Sequence, residues 1–243
     1  MSEPLLELRG VTKTFGGVHA VETMDLGLVA GEVHGLLGHN GAGKSTLMKL
    51  LSGVHRIDAG EIRLAGAAIE LRSPRDAQRH GIEMIYQDLA LADNLDSVAN
   101  LFLGRELRTR LGLLDEGAME RRATELLGDL NPDFHQLREP VGRLSGGQRQ
   151  MVAIARALLF DARILVMDEP TAALGPAESQ NVSALIRRLA ERGIAIVLVS
   201  HDLHDVFDLS DRITVMKNGR LVATAPRSEL DPDRVLELII AGR

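Results

Sequence analysis

Three clusters of residues in this chain have the types and spacing to handle a phosphate chain. Gly38-His39-Asn40-Gly41-Ala42-Gly43-Lys44-Ser45, with Thr46 behind it, is a complete G-x-x-x-x-G-K-[ST] loop. Its glycines let successive backbone N–H groups turn inward and make an anion nest at a helix start. Lys44 reaches the β- and γ-phosphates of a nucleoside triphosphate, and the Ser45 hydroxyl joins a Mg²⁺ shell. The second cluster is an apolar run, Ile164–Met167, that ends in Asp168 and is followed by Glu169. Asp168 suits an outer ligand of Mg²⁺. Glu169 suits polarising an attacking water, a role worth about 10²–10⁴-fold in rate. Two acids after a strand are ordinarily just solvated. Beside the glycine-rich loop, that plain explanation loses.

The third cluster is Leu144-Ser145-Gly146-Gly147-Gln148, just ahead of a helix over Gln148–Leu159. It is a second helix start able to bind phosphate. A plain N-cap explains Ser145. It does not explain two glycines, which cost backbone entropy unless something approaches the backbone closely. Two further polar residues stand at strand ends. His201, in Ser200-His201-Asp202, closes the apolar run Ile194–Ser200 and faces the crevice where α/β sheets bind ligands, in reach of a γ-phosphate. Gln87 ends Ile82–Tyr86 in the same manner, as a contact to metal or water or as a polar turn residue.

These residues require particular elements beneath them. Val33–Leu37, the glycine loop and the helical stretch Ser45–Leu51 form the strand–loop–helix that a phosphate loop needs. Upstream, Leu5–Arg9 and Met24–Val29 alternate like half-buried strands, and Glu61–Leu64 is another candidate. Ser73-Pro74 opens a short helix that Gly81 closes. From Asp88 to Leu159 strand signals vanish. Asp115 caps a helix over Glu116–Leu130, and Asn131-Pro132 stops it. The pattern is a helical insert in an α/β core. The core resumes with the strand Arg163–Met167, a helix Pro176–Arg192 ended by Gly193, and Ile194–Ser200. Arg212–Lys217 and Arg220–Thr224 make a hairpin around Asn218-Gly219, and Leu230–Ala241 is a last helix.

Composition narrows the chemistry. The chain has 243 residues and a formal charge of −6, without the basic bias of a DNA-binding domain. Five Phe, one Tyr and no Trp argue against stacking platforms for single-stranded nucleic acid. Cysteine is absent, which removes disulfides, thiolate metal sites and cysteine nucleophiles. Met1-Ser2-Glu3-Pro4 lacks the basic and apolar regions of a signal peptide. Ile194–Val199 is far shorter than the roughly 20 residues of a membrane span. The expectation is a cytosolic chain that a partner brings to a membrane.

Together these residues resemble the nucleotide-binding subunits of ABC transporters: the Walker A loop Gly38–Ser45, Gln87 of the Q-loop, the signature Leu144–Gln148, the Walker B strand with Asp168 and Glu169, and the switch His201. The resemblance spans nearly the whole chain. It implies a P-loop NTPase (RecA-like) α/β core over 1–87 and 160–243, an N-terminal antiparallel β subdomain, and an α-helical subdomain over 88–159, all in one ABC ATPase domain. It implies ATP and Mg²⁺ as ligands, with Ser45, Gln87 and Asp168 toward the metal and Lys44, Gln87, Glu169 and His201 in catalysis. It implies a head-to-tail homodimer on ATP binding, each ATP lying between one Walker A loop and the partner's Ser145–Gln148. Phe15 matches the family's adenine-stacking aromatic; an ordinary core Phe is the alternative. The implied partners are membrane permeases, with a solute-binding protein engaged indirectly and no nucleic acid. The implied location is the cytoplasmic face of the membrane.

Tyr86–Leu91, Asn100–Glu106 and Asp168–Leu174 look like the monosaccharide-importer branch, of ribose, xylose or fructose type. One position departs: where the wider family has a D-loop Asp, this chain has Gly175. Coupling between the two sites is then weaker or runs through the backbone. The alternatives are an ABC ATPase for another substrate, a DNA-repair or ribosome-associated ABC ATPase, and a non-hydrolysing regulatory subunit. The first non-transport class carries coiled coils and basic surfaces, and the second carries two nucleotide domains. The intact Lys44, Asp168, Glu169 and His201 argue against the third.

Overall fold

The computed structural model describes residues 3–172 and 174–242; Met1 and Ser2, Ala173 of the Asp168–Leu174 stretch, and Arg243 lie outside the described residues. The chain divides into two compact units. The first comprises 1–84, 162–170 and 186–243, and the second 85–161 and 171–185.

The first unit holds two sheets. β1 (Leu6–Phe15), β2 (Val18–Leu28), β4 (Ala59–Leu64) and β5 (Ala67–Ile69) form an antiparallel sheet in the order β2-β1-β4-β5. The second sheet runs β10-β9-β3-β8-β7-β6. Its members are β3 (Val33–Leu37), β6 (Ile82–Ile85), β7 (Ile164–Asp168), β8 (Ala195–Val199), β9 (Arg212–Lys217) and β10 (Arg220–Pro226). β9, β3, β8 and β7 are mutually parallel, and β10 returns antiparallel on β9. Every residue of β3 and β8 is buried, as the continuous apolar runs require of strands covered on both faces. One core packs Leu6, Leu8, Met24 and Leu28 with Leu36, Leu47, Leu50, Val166 and Val197. Helices α1 (Lys44–Leu51), α2 (Pro74–Arg79), α7 (Leu203–Leu209) and α8 (Pro232–Ala241) complete this unit.

The second unit is helical, with α3 (Ser97–Phe102), α4 (Glu116–Leu130) and α5 (Gly146–Leu158). Asp96, Asp115 and Ser145 cap the three by accepting from backbone N–H groups. α6 (Pro176–Glu191) begins in it.

The α/β expectation with its antiparallel subdomain is borne out, but several bounds move. β1 and β2 are far longer than the alternating runs Leu5–Arg9 and Met24–Val29. The pairing shifts register at Leu8/Val11, Val11/Lys13 and Lys13/Thr14, and each bulge breaks the two-residue period. β6 stops at Ile85, one residue short of Tyr86. α5 starts at Gly146, so both glycines lie inside its first turn rather than ahead of it. α7 was not anticipated, although Asp202 caps it and Leu203, Val206 and Phe207 carry its helical spacing.

Candidate functional site

In the first unit the chemistry-bearing residues all follow the carboxyl ends of adjacent parallel strands. β3 leads into Gly38–Ser45, β8 into Ser200-His201, and β7 ends in Asp168 ahead of Glu169. Because β8 lies between β3 and β7, His201 leaves the sheet between the loop and the two acids. Such strand ends are where open α/β sheets take ligands.

The loop's shape depends on its glycines. Gly43 has φ +104 and caps α1 without a side-chain hydrogen bond, which leaves the helix's first N–H groups to a ligand. A Cβ on Gly43 would lie 2.4 Å from the Ala20 carbonyl oxygen, and one on Gly38 2.4 Å from that of Met216. Gly41 (φ +82) faces open space instead. Ala42 is buried in the core, so only its backbone can serve a ligand, and its carbonyl accepts from the Gly219 N–H at 2.9 Å. His39, Asn40 and Ser45 are exposed and Thr46 is half-buried. Lys44 folds back over the loop, donating to the carbonyls of Gly38 at 2.5 Å and His39 at 3.3 Å. Burial lowers its pKa, against the raising effect of Glu169 and Asp168. A cleft of about 540 Å³ opens here, lined by Val18, His19, Ala20, the loop and Asn218. It falls within the usual range of small-ligand sites. Val18 and His19, from the bulged strand β2, have no sequence signal, and Asn218 is marked in the sequence only as a hairpin turn, between β9 and β10.

The two acids differ. Burial and the charge of Glu169 raise the pKa of Asp168, and Lys44 and Lys49 oppose that shift. Glu169 takes a left-handed φ of +52, uncommon for a non-glycine residue and typical of functional positions. Its N–H donates to the Val199 carbonyl at 2.8 Å. Its carboxylate accepts from the His201 backbone N–H at 2.9 Å and from the Ser200 hydroxyl at 3.4 Å, and it lies 2.7 Å from His201 Nδ1. Ser200, which the sequence marks only as the end of an apolar run, joins the site through this contact. The adjacent carboxylates of Asp168 and Glu169 and, from the loop after β3, the Ser45 hydroxyl are the hard oxygen donors Mg²⁺ prefers, so the residue types present fit that ion.

Phe15 ends β1 and is 42% exposed, which removes the core-Phe alternative. Lys13 Nζ stands 5.2 Å from its ring centroid, and His55 meets it edge-on at 5.0 Å. Asp58 fixes this corner by accepting from Lys13 Nζ and the Thr14 N–H, both at 2.7 Å.

Gln87 and Ser145–Gln148 belong to the second unit. Gln87 is exposed in a bend beyond β6. Ser145 and Gln148 close a capping box: the Gln148 N–H donates to Ser145 Oγ at 3.4 Å, and the Ser145 N–H donates to Gln148 Oε1 at 3.0 Å. The close approach that the glycines demand comes from the same unit. A Cβ on Gly146 would lie 2.7 Å from Leu174 Cδ2, and one on Gly147 3.2 Å from Glu178 Cβ.

Among the described residues, no helix is long and apolar enough to cross a membrane. Residues 21–172 match the family model of the ABC transporter. The chain is 48% identical over 238 residues to a ribose import ATP-binding protein of Rubrobacter xylanophilus, covering 98% of this chain and 46% of that one. It is 45% identical to a putative ribose/galactose/methyl galactoside import ATP-binding protein of Burkholderia lata, with coverage of 98% and 46%. The chain thus spans about half the length of the curated relatives it matches. Among solved structures, a cassette of the Clostridium perfringens cbiONQ transporter complex is 26% identical with a TM-score of 0.81, covering 99% of this chain and 98% of that one. A cassette solved as a post-hydrolysis dimer with ADP and phosphate is 26% identical with a TM-score of 0.75, covering 91% and 98%. The ordered motifs, the strand-end geometry and these matches lead to one conclusion: the chain belongs to the ABC transporter family.

Proposed function

We propose that this chain is the ATP-hydrolysing subunit of a sugar importer, and that two copies close head to tail around two ATP molecules. The observation that carries the proposal is the grip on Glu169, whose carboxylate is oriented by His201 and Ser200 beside the Lys44 loop. In this reading the N–H groups of Gly41–Ser45 cradle the phosphates. Lys44 leaves the carbonyls of Gly38 and His39 for the β- and γ-phosphates. Glu169 holds the attacking water in line and takes its proton, while His201 contacts the γ-phosphate. Ser45 and Asp168 would hold Mg²⁺, which would supply positive charge against the phosphates. Ser145–Gln148 of one copy completes the site of the other, and Phe15 stacks on adenine.

Closure moves permease subunits docked near Gln87 and the helical unit, at the cytoplasmic face of the membrane, and a solute-binding protein delivers the sugar from outside. The similarity to ribose and ribose/galactose/methyl galactoside import proteins supports a monosaccharide of the ribose or galactose kind. The dimeric cassette among the structural matches supports the paired arrangement. ATP shifts the population by binding the closed pair better than the open one.

The test is Glu169→Gln. Phosphate release falls by at least about a hundredfold, and a long-lived dimer appears with ATP on size-exclusion chromatography. Unchanged hydrolysis with no dimer would sink the assignment.

A further inference from the structure

The signature helix start already holds an anion. The Glu178 carboxylate is hydrogen-bonded by the Ser145 hydroxyl and by the backbone N–H groups of Gly175 and Gly147, and these bonds lower its pKa. The Gly175 N–H lies 3.3 Å from Glu178 Oε2. The same oxygen lies 3.5 Å from where a Cβ on Gly146 would sit, and the Glu178 Cβ packs over Gly147. Ser145, Gly147 and Gly175 thus direct three donors at one exposed carboxylate. An acid is favourable at a helix N-terminus, and α5 runs for 13 residues behind this one. Position 175 contributes through its backbone alone. A Cβ there would come within 4.0 Å of Glu178 Oε2, so an Asp would set a second carboxylate beside the first.

We propose that Glu178 is an internal stand-in for the partner's terminal phosphate. In the separate subunit it occupies the donors of Ser145 and Gly147. It must give them up when an ATP-loaded partner docks, because two anions cannot share them without repulsion. A space of about 310 Å³ lined by Glu178, Asn131, Asp133, Asn181 and Met151 gives the carboxylate room to swing aside. Subunit closure is then an exchange of one anion for another, and the backbone at Gly175 senses the exchange. This inference rests on the shared-site arrangement proposed above.

The experiment compares Glu178→Gln and Glu178→Asp in the Glu169→Gln protein, which pairs without turning over. Light scattering reads dimer fraction against ATP concentration. Gln removes the charge, and Asp keeps it on a stem one methylene too short to reach α5. Both variants lower the ATP concentration for half-maximal pairing by about two- to fivefold, the range of one carboxylate at a helix start. Thermal melting of the free subunits identifies any misfolded variant. If Gln misfolds, Asp alone decides, and the reverse. An unchanged or raised ATP requirement in a folded variant makes Glu178 a strut between α5 and α6 and overturns the inference. A parent protein that does not pair with ATP overturns the shared-site arrangement and this inference with it. Pairing in the parent without a shift in the variants overturns only this inference.

Discussion

His201 Nδ1 stands 2.7 Å from Glu169 Oε2, and the His201 N–H donates to the other oxygen of the same carboxylate at 2.9 Å. One residue therefore holds both oxygens of this carboxylate. The contact raises the pKa of His201, chiefly through the side-chain hydrogen bond to Glu169.

The sign of that shift sets a pH dependence. A histidine whose folded pKa is raised contributes stability that is fully present below its ordinary value of 6.5 and lost as pH rises through the raised value. The side chain is 75% exposed, so fold stability changes little. In an NMR titration His201 is expected to titrate above 6.5 and to return toward it in Glu169→Gln. His201→Ala should lower hydrolysis by about a hundredfold through misplacement of the base, with ATP affinity held. A midpoint for His201 below 6.5 would contradict the contact.

Phe15 offers a test of base recognition separate from phosphate recognition. Phe15→Ala should weaken ATP about two- to tenfold, the equivalent of one stacking contact of roughly 0.5–1.5 kcal/mol. Tripolyphosphate, which lacks a base, should bind the variant as it binds the parent. Calorimetry with both ligands checks this. Equal loss for both would assign Phe15 to shaping the loop.

Gly43 and Gly41 share a positive φ but differ in surroundings. Alanine at Gly41 meets open space and should cost about 1–2 kcal/mol of conformational strain. Alanine at Gly43 adds a 2.4 Å encounter with the Ala20 carbonyl, so its cost in denaturant unfolding should exceed that of Gly41→Ala by about 1 kcal/mol or more. Similar losses at the two positions would mean that β2 yields freely at Ala20.

Ser145→Arg should abolish hydrolysis while ATP binding at Gly38–Ser45 stays within about twofold of the parent, because the substituted residue belongs to the second compact unit. Radiolabelled or fluorescent ATP binding against phosphate release separates the two. Parallel loss of both would mean that the motif serves the fold of the subunit.

The parallel strands were legible because burial on both faces writes itself as unbroken apolar runs, and their ends announced Lys44, Asp168, Glu169 and His201. The far halves of β1 and β2 were not, since bulges between Leu8 and Thr14 break alternation, and with them went His19 and Lys13. The paired glycines of the signature mark a close approach to the backbone, but periodicity cannot say what comes close. Glu178 lies over thirty positions away on another helix. The role of Ser200 is not legible because a serine at a strand end has no pattern that separates a hydrogen-bond donor to Glu169 from a turn residue.

The glycine loop takes its shape from the far end of the chain. Gly38 has room for no side chain because of the Met216 carbonyl, and Gly219 donates to Ala42 while accepting, through its own carbonyl, the N–H of Glu22. A ribosome that has released only the loop and α1 has therefore made a sequence motif and no receptor. Affinity for nucleotide should switch on abruptly in nascent chains, once synthesis has carried the β9–β10 turn clear of the exit tunnel.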